Sequence, residues 1–291
     1  MIAGALMRLG TAVVGATAMV YALVVLSPGD ASACGDLGAA PSYLSWLSHA
    51  LVLDLGVPCF GPAGTVWGLM VPAALRTLGL VSAAMILAAA FAVPLARLEL
   101  SPRPAMRWLG AGLGSVGALP AFVWAYLGAT GVNLAFADCM RHADCPDWFP
   151  VQSHDSWLRA ALGAAVLAIG SGTAHDLARH AAAELERARR ADWVLFARAA
   201  GQPPHKVLAR ALTGPLLVAL LARAAIVLGG AVVVEGVLGL RGLGTLTWEA
   251  ARFRDLQVLL GVTAAWAALL GLLRLASARA SHRPALEEAS A

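Results

Sequence analysis

Four groups of side chains in this 291-residue chain have types and spacings that could do chemistry. The first is the glycine-rich stretch EGVLGLRGLG, Glu235 to Gly244, a composition that often cradles phosphate. A phosphate loop needs a Gly-Lys-Ser/Thr ending and a preceding strand. This stretch lacks that ending and follows an apolar run, LLARAAIVLGGAVVV. The second group is Cys139, His142, Asp144, Cys145 and Asp147, a set of potential metal donors. The third is His175, Asp176 and His180, two imidazoles and a carboxylate that could hold a metal or relay protons. Their spacing does not place all three on one helical face, which favours an exposed helix end instead. The fourth is Arg223, a cation inside an apolar run. Such a cation is costly unless paired or hydrated. A structural ion pair and a place on a transport path are both open to it.

The elements that must position these residues belong in a membrane. The chain is 59% hydrophobic and 13% charged, whereas soluble domains carry roughly 25% charged residues. About 20 apolar residues of helix cross a bilayer core. Six runs qualify, at about 9–26, 77–96, 108–132, 158–174, 215–234 and 256–273. The expected fold is an all-α membrane protein, a single domain forming a six-transmembrane-helix bundle. Gly110, Gly114 and Gly117 in the third run would let helices approach closely.

Basic residues set the expected orientation. Residues 27–69 contain no Lys or Arg, and the segment between spans three and four has Arg141 alone. Arg97, Arg103 and Arg107 lie between spans two and three. Seven basic residues lie between spans four and five: Arg179, Arg187, Arg189, Arg190, Arg198, Lys206 and Arg210. The tail adds Arg274, Arg279 and Arg283. This alternation places both termini in the cytoplasm. Arg241, Arg252 and Arg254 are the exception, because they fall in the outer loop after span five. The glycine-rich stretch is then also outside, away from cytoplasmic ATP.

All four cysteines, Cys34, Cys59, Cys139 and Cys145, fall in outer segments, where disulfides persist. Cys139 with Cys145 closes a short loop and leaves Cys34 for Cys59. Four cysteines allow three pairings, and a metal site using His142, Asp144 and Asp147 is the rival reading. Arg8, the run 9–26 and ASAC (31–34) imitate a lipoprotein signal. That run is longer than a signal's apolar region, and SPGD breaks it before the cut, so span one reads as a retained helix. On the cytoplasmic side, 180–201 reads as one helix stopped by Gly201 and two prolines. Residues 205–212 read as a second short helix running back to span five. The shape suits docking of a partner, or is a solvated connector.

Several of these segments resemble the permease subunits of bacterial ABC importers, in the dipeptide/oligopeptide/nickel group. LSPGD (26–30) is similar to that group's LPGD, and YLSWLSHALVLDLG (43–56) to its YLxWLxxLLxGDLG. VPAALRTLGL (71–80) and LPAFVWA (119–125) resemble its LPxTLxLxL and xPSFWLA. ADWVLFARAAGQPPHKVLARAL (191–212) is similar to its ATPase-docking loop, YVRTARAKGLSxRxVLxRHAL. EGVLGLRGLGTL (235–246) nearly matches ExVFGLPGLGxL, and RDLQVLLG (254–261) follows RDYPVxQG. Departures are Ala200 in place of a basic residue, QPP at 202–204, an early Pro215, and Arg241 in place of proline.

The resemblance implies half of a solute path for peptides, nickel chelates or a related small solute, in the bacterial cytoplasmic membrane. It implies a second, homologous permease, two cytoplasmic ABC ATPases and an extracytoplasmic solute-binding protein as partners. It implies no enzymatic activity, no metal and no cofactor on this chain, with ATP and Mg on the ATPases. It implies an ATPase-coupling loop containing Ala197, Arg198, Ala199, Gly201, His205 and Lys206. It implies an outer glycine motif of Glu235, Gly236, Gly239, Arg241, Gly242 and Gly244, with Glu235 placed to cap exposed backbone N–H groups. A secondary transporter or channel driven by an ion gradient is the alternative, though the two halves show no inverted repeat. An intramembrane enzyme using His175 and Asp176 lacks a second in-membrane carboxylate or a nucleophile motif. Nothing points to nucleic acid.

Overall fold

A computed structural model describes residues 2–28, 42–61, 64–117, 119–142 and 157–288. Among these the chain is all α-helical. In order the helices are α1 (Ile2–Leu26), α2 (Tyr43–Leu51), α3 (Val66–Glu99), α4 (Pro104–Val116), α5 (Ala121–His142) and α6 (Trp157–Gly170). They continue as α7 (Thr173–Arg190), α8 (Asp192–Ala199), α9 (Pro204–Leu238), α10 (Leu243–Arg252) and α11 (Leu256–Glu288).

Four stretches are long and apolar enough to cross a membrane: Leu6–Leu26, Val66–Glu99, Ala209–Leu238 and Leu256–Ala280. The number reaches six if α4 with α5, and α6 with α7, each count as one bent span. Two of the expected spans are bent. The run 108–132 is interrupted between α4 and α5, where Pro120 has no N–H to continue the ladder. The run 158–174 breaks after Gly170. Gly172 takes a positive φ of 69°, and α7 leaves at 49° to α6.

Other boundaries also shift. α3 begins at Val66, well before the expected start at Thr77, so Arg76 lies within it. Residues 205–212 form no separate helix; they are the first turns of α9, which opens on Pro204. Proline suits a first helical position because its missing N–H would be unpaired there. The single helix expected over 180–201 is broken at Ala191, whose ψ of 131° is extended. α2 and α10 are helices within segments read from sequence only as outer loops.

The chain divides into two compact units, Met1–Gly79 with Ala231–Leu272, and Leu80–Gly230 with Leu273–Ala291. The division falls within α3, α9 and α11. The first unit has a core of large side chains, including Trp46, Leu55, Met70, Leu243, Leu246, Leu256 and Leu260. In the second, Ala84, Ala88, Ala92 and Ala96 make a fully buried stripe along α3. Residues four apart share a helix face. Ala88 and Ala92 pack with Ala168, Ala174 and Leu177, and Ala96 with Ala181, Leu185 and Leu212. Small side chains let helix backbones approach closely. Many large apolar residues remain exposed, such as Leu23, Leu75, Ile86, Phe122 and Ile226. Lipid can cover them in a membrane.

Candidate functional site

The glycine motif is built around one carboxylate. Glu235 lies near the C-terminal end of α9 and is buried, at 1% exposure. Its Oε1 accepts from the Thr77 hydroxyl at 2.6 Å, and its Oε2 from the Gly244 N–H at 2.7 Å. Thr77 Oγ1 in turn accepts from the Leu243 N–H at 2.8 Å. Leu243 and Gly244 open α10, where backbone N–H groups lack helical partners and the helix dipole favours negative charge. The start of α10 thus receives a carboxyl group from the same chain, that of Glu235, where a phosphate loop receives a ligand.

The four glycines have different reasons to be there. Gly239 ends α9 at φ 65°, and the Leu240 N–H reaches back to the Glu235 carbonyl at 2.9 Å. This is a left-handed helix terminus, which glycine adopts without penalty. Gly242 and Gly244 are needed for space. A Cβ on Gly242 would overlap the Glu235 carboxylate. One on Gly244 would come within 2.5 Å of the Val232 Cα. Gly236 is exposed, with no atom near its missing Cβ. The Arg241 side chain is exposed, while its carbonyl accepts from Arg76 Nη1 at 3.4 Å.

The next turn of chain is held in the same manner. Asp255 is fully buried. Its Oδ1 accepts from Val258 N at 3.1 Å, capping α11, and its Oδ2 from Cys59 N at 2.6 Å. Gln257 Oε1 accepts from Val57 N at 2.8 Å. Arg254 donates to the Pro28 carbonyl at 2.6 Å, to the Ser27 carbonyl at 3.2 Å and to the Ser27 hydroxyl. A guanidinium there satisfies carbonyls just past the end of α1. Arg254, an exception to the expected charge pattern, thereby has structural partners. The segments 43–56, 71–80, 235–246 and 254–261 all contribute to the first unit's core.

In the second unit, Arg223 of α9 pairs with Asp176 of α7 at 2.6 Å. His175 Nδ1 stands 3.5 Å from Glu99 Oε1. Both atoms are shut off from solvent without a hydrogen bond. The exposed helix end expected for His175, Asp176 and His180 is thus correct for His180 alone. The neighbouring residues of α7 point to different partners, so the three do not converge. Among the described residues no group of three or more His, Cys, Asp or Glu could hold a metal.

The segment corresponding to the coupling loop also lies in the second unit. α8 carries Ala197 and Ala199, and the chain turns at Gly201, φ 76°, before α9 starts. Val194, Ala197 and Val207 form a small buried cluster that fixes α8 against the start of α9. Lys206 is exposed; Arg198 and His205 lie in α8 and α9. Cys34 and Cys145 lie outside the described residues, as do Asp144 and Asp147. Neither Cys59 nor Cys139 is a free thiol.

Thr77, Asp255, Arg76 and Arg254 were missed as site residues from sequence. Asp255 had a signal, since an Asp directly before an apolar run marks a helix start. Thr77 had none, because its partners lie far away in the chain.

An all-helical chain with four to six candidate spans is a multi-pass membrane protein. Residues 115–281, more than half of the chain, match the family described as binding-protein-dependent transport system inner membrane component. The chain belongs to this family, the inner-membrane permeases of ABC-type transporters. Such permeases are not themselves catalytic, and work with a binding protein and other transporter subunits. No curated protein matches the chain.

Proposed function

We propose that this permease belongs to the dipeptide/oligopeptide/nickel group of importers. It would form half of the path for short peptides, nickel chelates or a related small solute. The supporting observation concerns residues before the matched region. The segments 43–56 and 71–80, which carry the group's sequence patterns, pack with 235–246 and 254–261 in one core. Distant patterns that share a packing site are harder to obtain by chance than any one pattern alone.

In this reading both termini are cytoplasmic, as the arginine distribution favours. α8, the Gly201 turn and the first turn of α9 dock on the ATPase. The residues involved are Ala197, Arg198, Ala199, Gly201, His205 and Lys206. The ATPases hold ATP and Mg. A second permease completes the path, and a solute-binding protein meets the outer face near Arg241. Disulfides Cys34–Cys59 and Cys139–Cys145 brace that face. Alkylation mass shifts with and without reductant test them; four thiols labelled without reductant would exclude both.

Vesicle uptake tests the function. The chain is reconstituted with a second permease of the family, ABC ATPases and a solute-binding protein. Uptake of a labelled dipeptide or nickel chelate is expected to need both binding protein and ATP. Uptake by this chain alone on an ion gradient would favour the secondary-transporter reading instead.

A further inference from the structure

A cavity of about 320 Å³ lies within the second unit, where the end of α3, α7, α8 and the start of α9 come together. Its size is in the range of small-molecule pockets. Two arginines, Arg97 and Arg189, line it, with Leu100, Pro102, Leu185, Val194, Val207 and Ala211. Arg97 has no ion pair with any described residue. Among the described residues Arg189 has only a 3.5 Å contact with Glu186, whose other oxygen is taken by Arg190 at 3.0 Å. The pocket therefore offers positive charge beside apolar residues, offset among the described residues by the Glu186 carboxylate that Arg189 shares with Arg190.

We propose that this cavity binds an acidic phospholipid. The phosphodiester would meet Arg97 and Arg189, and the upper acyl chain would lie against Leu100, Pro102 and Ala211. Location favours a lipid over a soluble anion. Arg97 is in the last turn of α3, the end of a 34-residue apolar stretch. Headgroups lie at that depth, and basic pockets at helix ends attract them. A small anion such as free phosphate would leave the apolar wall empty. The inference needs only the family's place in a membrane, not the choice of transported solute.

The test uses the full chain in nanodiscs of phosphatidylcholine with a phosphatidylglycerol fraction, followed by native mass spectrometry of retained lipid. The wild type is expected to retain phosphatidylglycerol over phosphatidylcholine. Arg97→Ala and Arg189→Ala should each lower that preference roughly fivefold. Ala211→Trp, which fills the cavity and keeps the charges, should lower it as well. Arg107→Ala, an exposed arginine outside the cavity, should not. Three results would overturn the proposal: no lipid preference in the wild type, an equal loss in Arg107→Ala, or displacement of the lipid by millimolar inorganic phosphate.

Discussion

In the first unit, Glu235 and Asp255 are buried and each of their four carboxylate oxygens has a donor. In the second, Glu99 Oε1 and His175 Nδ1 face each other at 3.5 Å, buried and without a hydrogen bond. The first unit packs around Trp, Leu and Met, with Trp46 Nε1 left unpaired among the described residues; the second packs an alanine stripe against Leu177, Leu185 and Leu212. The contrast bears on what each can do. Leaving a buried donor unsatisfied is costly, so a completed network holds one geometry. A pair with unmet bonds loses little by rearranging. A transporter needs both properties, a fixed frame and an element with two arrangements. The first unit thus holds its buried carboxylates more completely than the second holds the Glu99–His175 pair.

The hardest test of that contrast is Gly244→Val. Its Cβ would meet the Val232 backbone at 2.5 Å, and neither helix can yield cheaply. The loss should be about 3 kcal/mol or more, seen as aggregation or a collapsed melting transition in detergent. Wild-type melting would show the first unit to be far softer than its contacts suggest. Next comes Glu235→Ala, which orphans the Thr77 hydroxyl and the Gly244 N–H. It should destabilise by about 2–3 kcal/mol. Glu235→Gln keeps one acceptor oxygen and should lose about half as much. Equal melting of both variants would mean the hydrogen bonds do not matter.

In the second unit the same kind of change should matter less to folding. Arg223→Ala or Asp176→Ala should reduce stability by about 1 kcal/mol, since polar pairs between membrane helices are modest. The swapped double variant, Arg223→Asp with Asp176→Arg, should recover most of it. If uptake stays low in the swap while melting recovers, Arg223 acts on the transport path; full uptake in a folded Arg223→Ala would remove that role. The smallest folding effect belongs to Gly201. No atom lies within 4 Å of its missing Cβ, so only its positive φ opposes a side chain. Gly201→Ala should lose about 1 kcal/mol, and Gly201→Asn less, as asparagine tolerates that conformation. Gly201→Asp should nonetheless abolish uptake with the protein still in the membrane. Normal uptake by that variant would contradict the coupling assignment and with it the functional half of the comparison.

Much of the helical layout was legible in the residues themselves. Long apolar runs near 9–26, 215–234 and 256–273 reappear inside α1, α9 and α11 because lipid-crossing helices must be apolar over a set length. The breaks were harder to see. Pro120 was visible in the third run, yet prolines also occur inside continuous helices, as Pro215 does in α9. Ala191 gave no signal, since alanine favours the helix it interrupts. The glycine motif was legible as a motif and not as a mechanism. Expected turn-forming flexibility explains Gly239, but Gly242 and Gly244 are small because Glu235 and Val232 occupy the space beside them.

By itself, then, the sequence determined that this is an apolar, arginine-flanked helical membrane chain, and which stretches resemble an importer permease. Those properties depend on composition and local order, which any reader of the chain can sum. Only the tertiary structure decided which groups satisfy one another. Glu235 finds Thr77 and the start of α10, Asp255 finds Cys59, and Arg223 finds Asp176. A buried polar group must be paired, but the partner is whatever the packing of distant helices brings within about 3 Å.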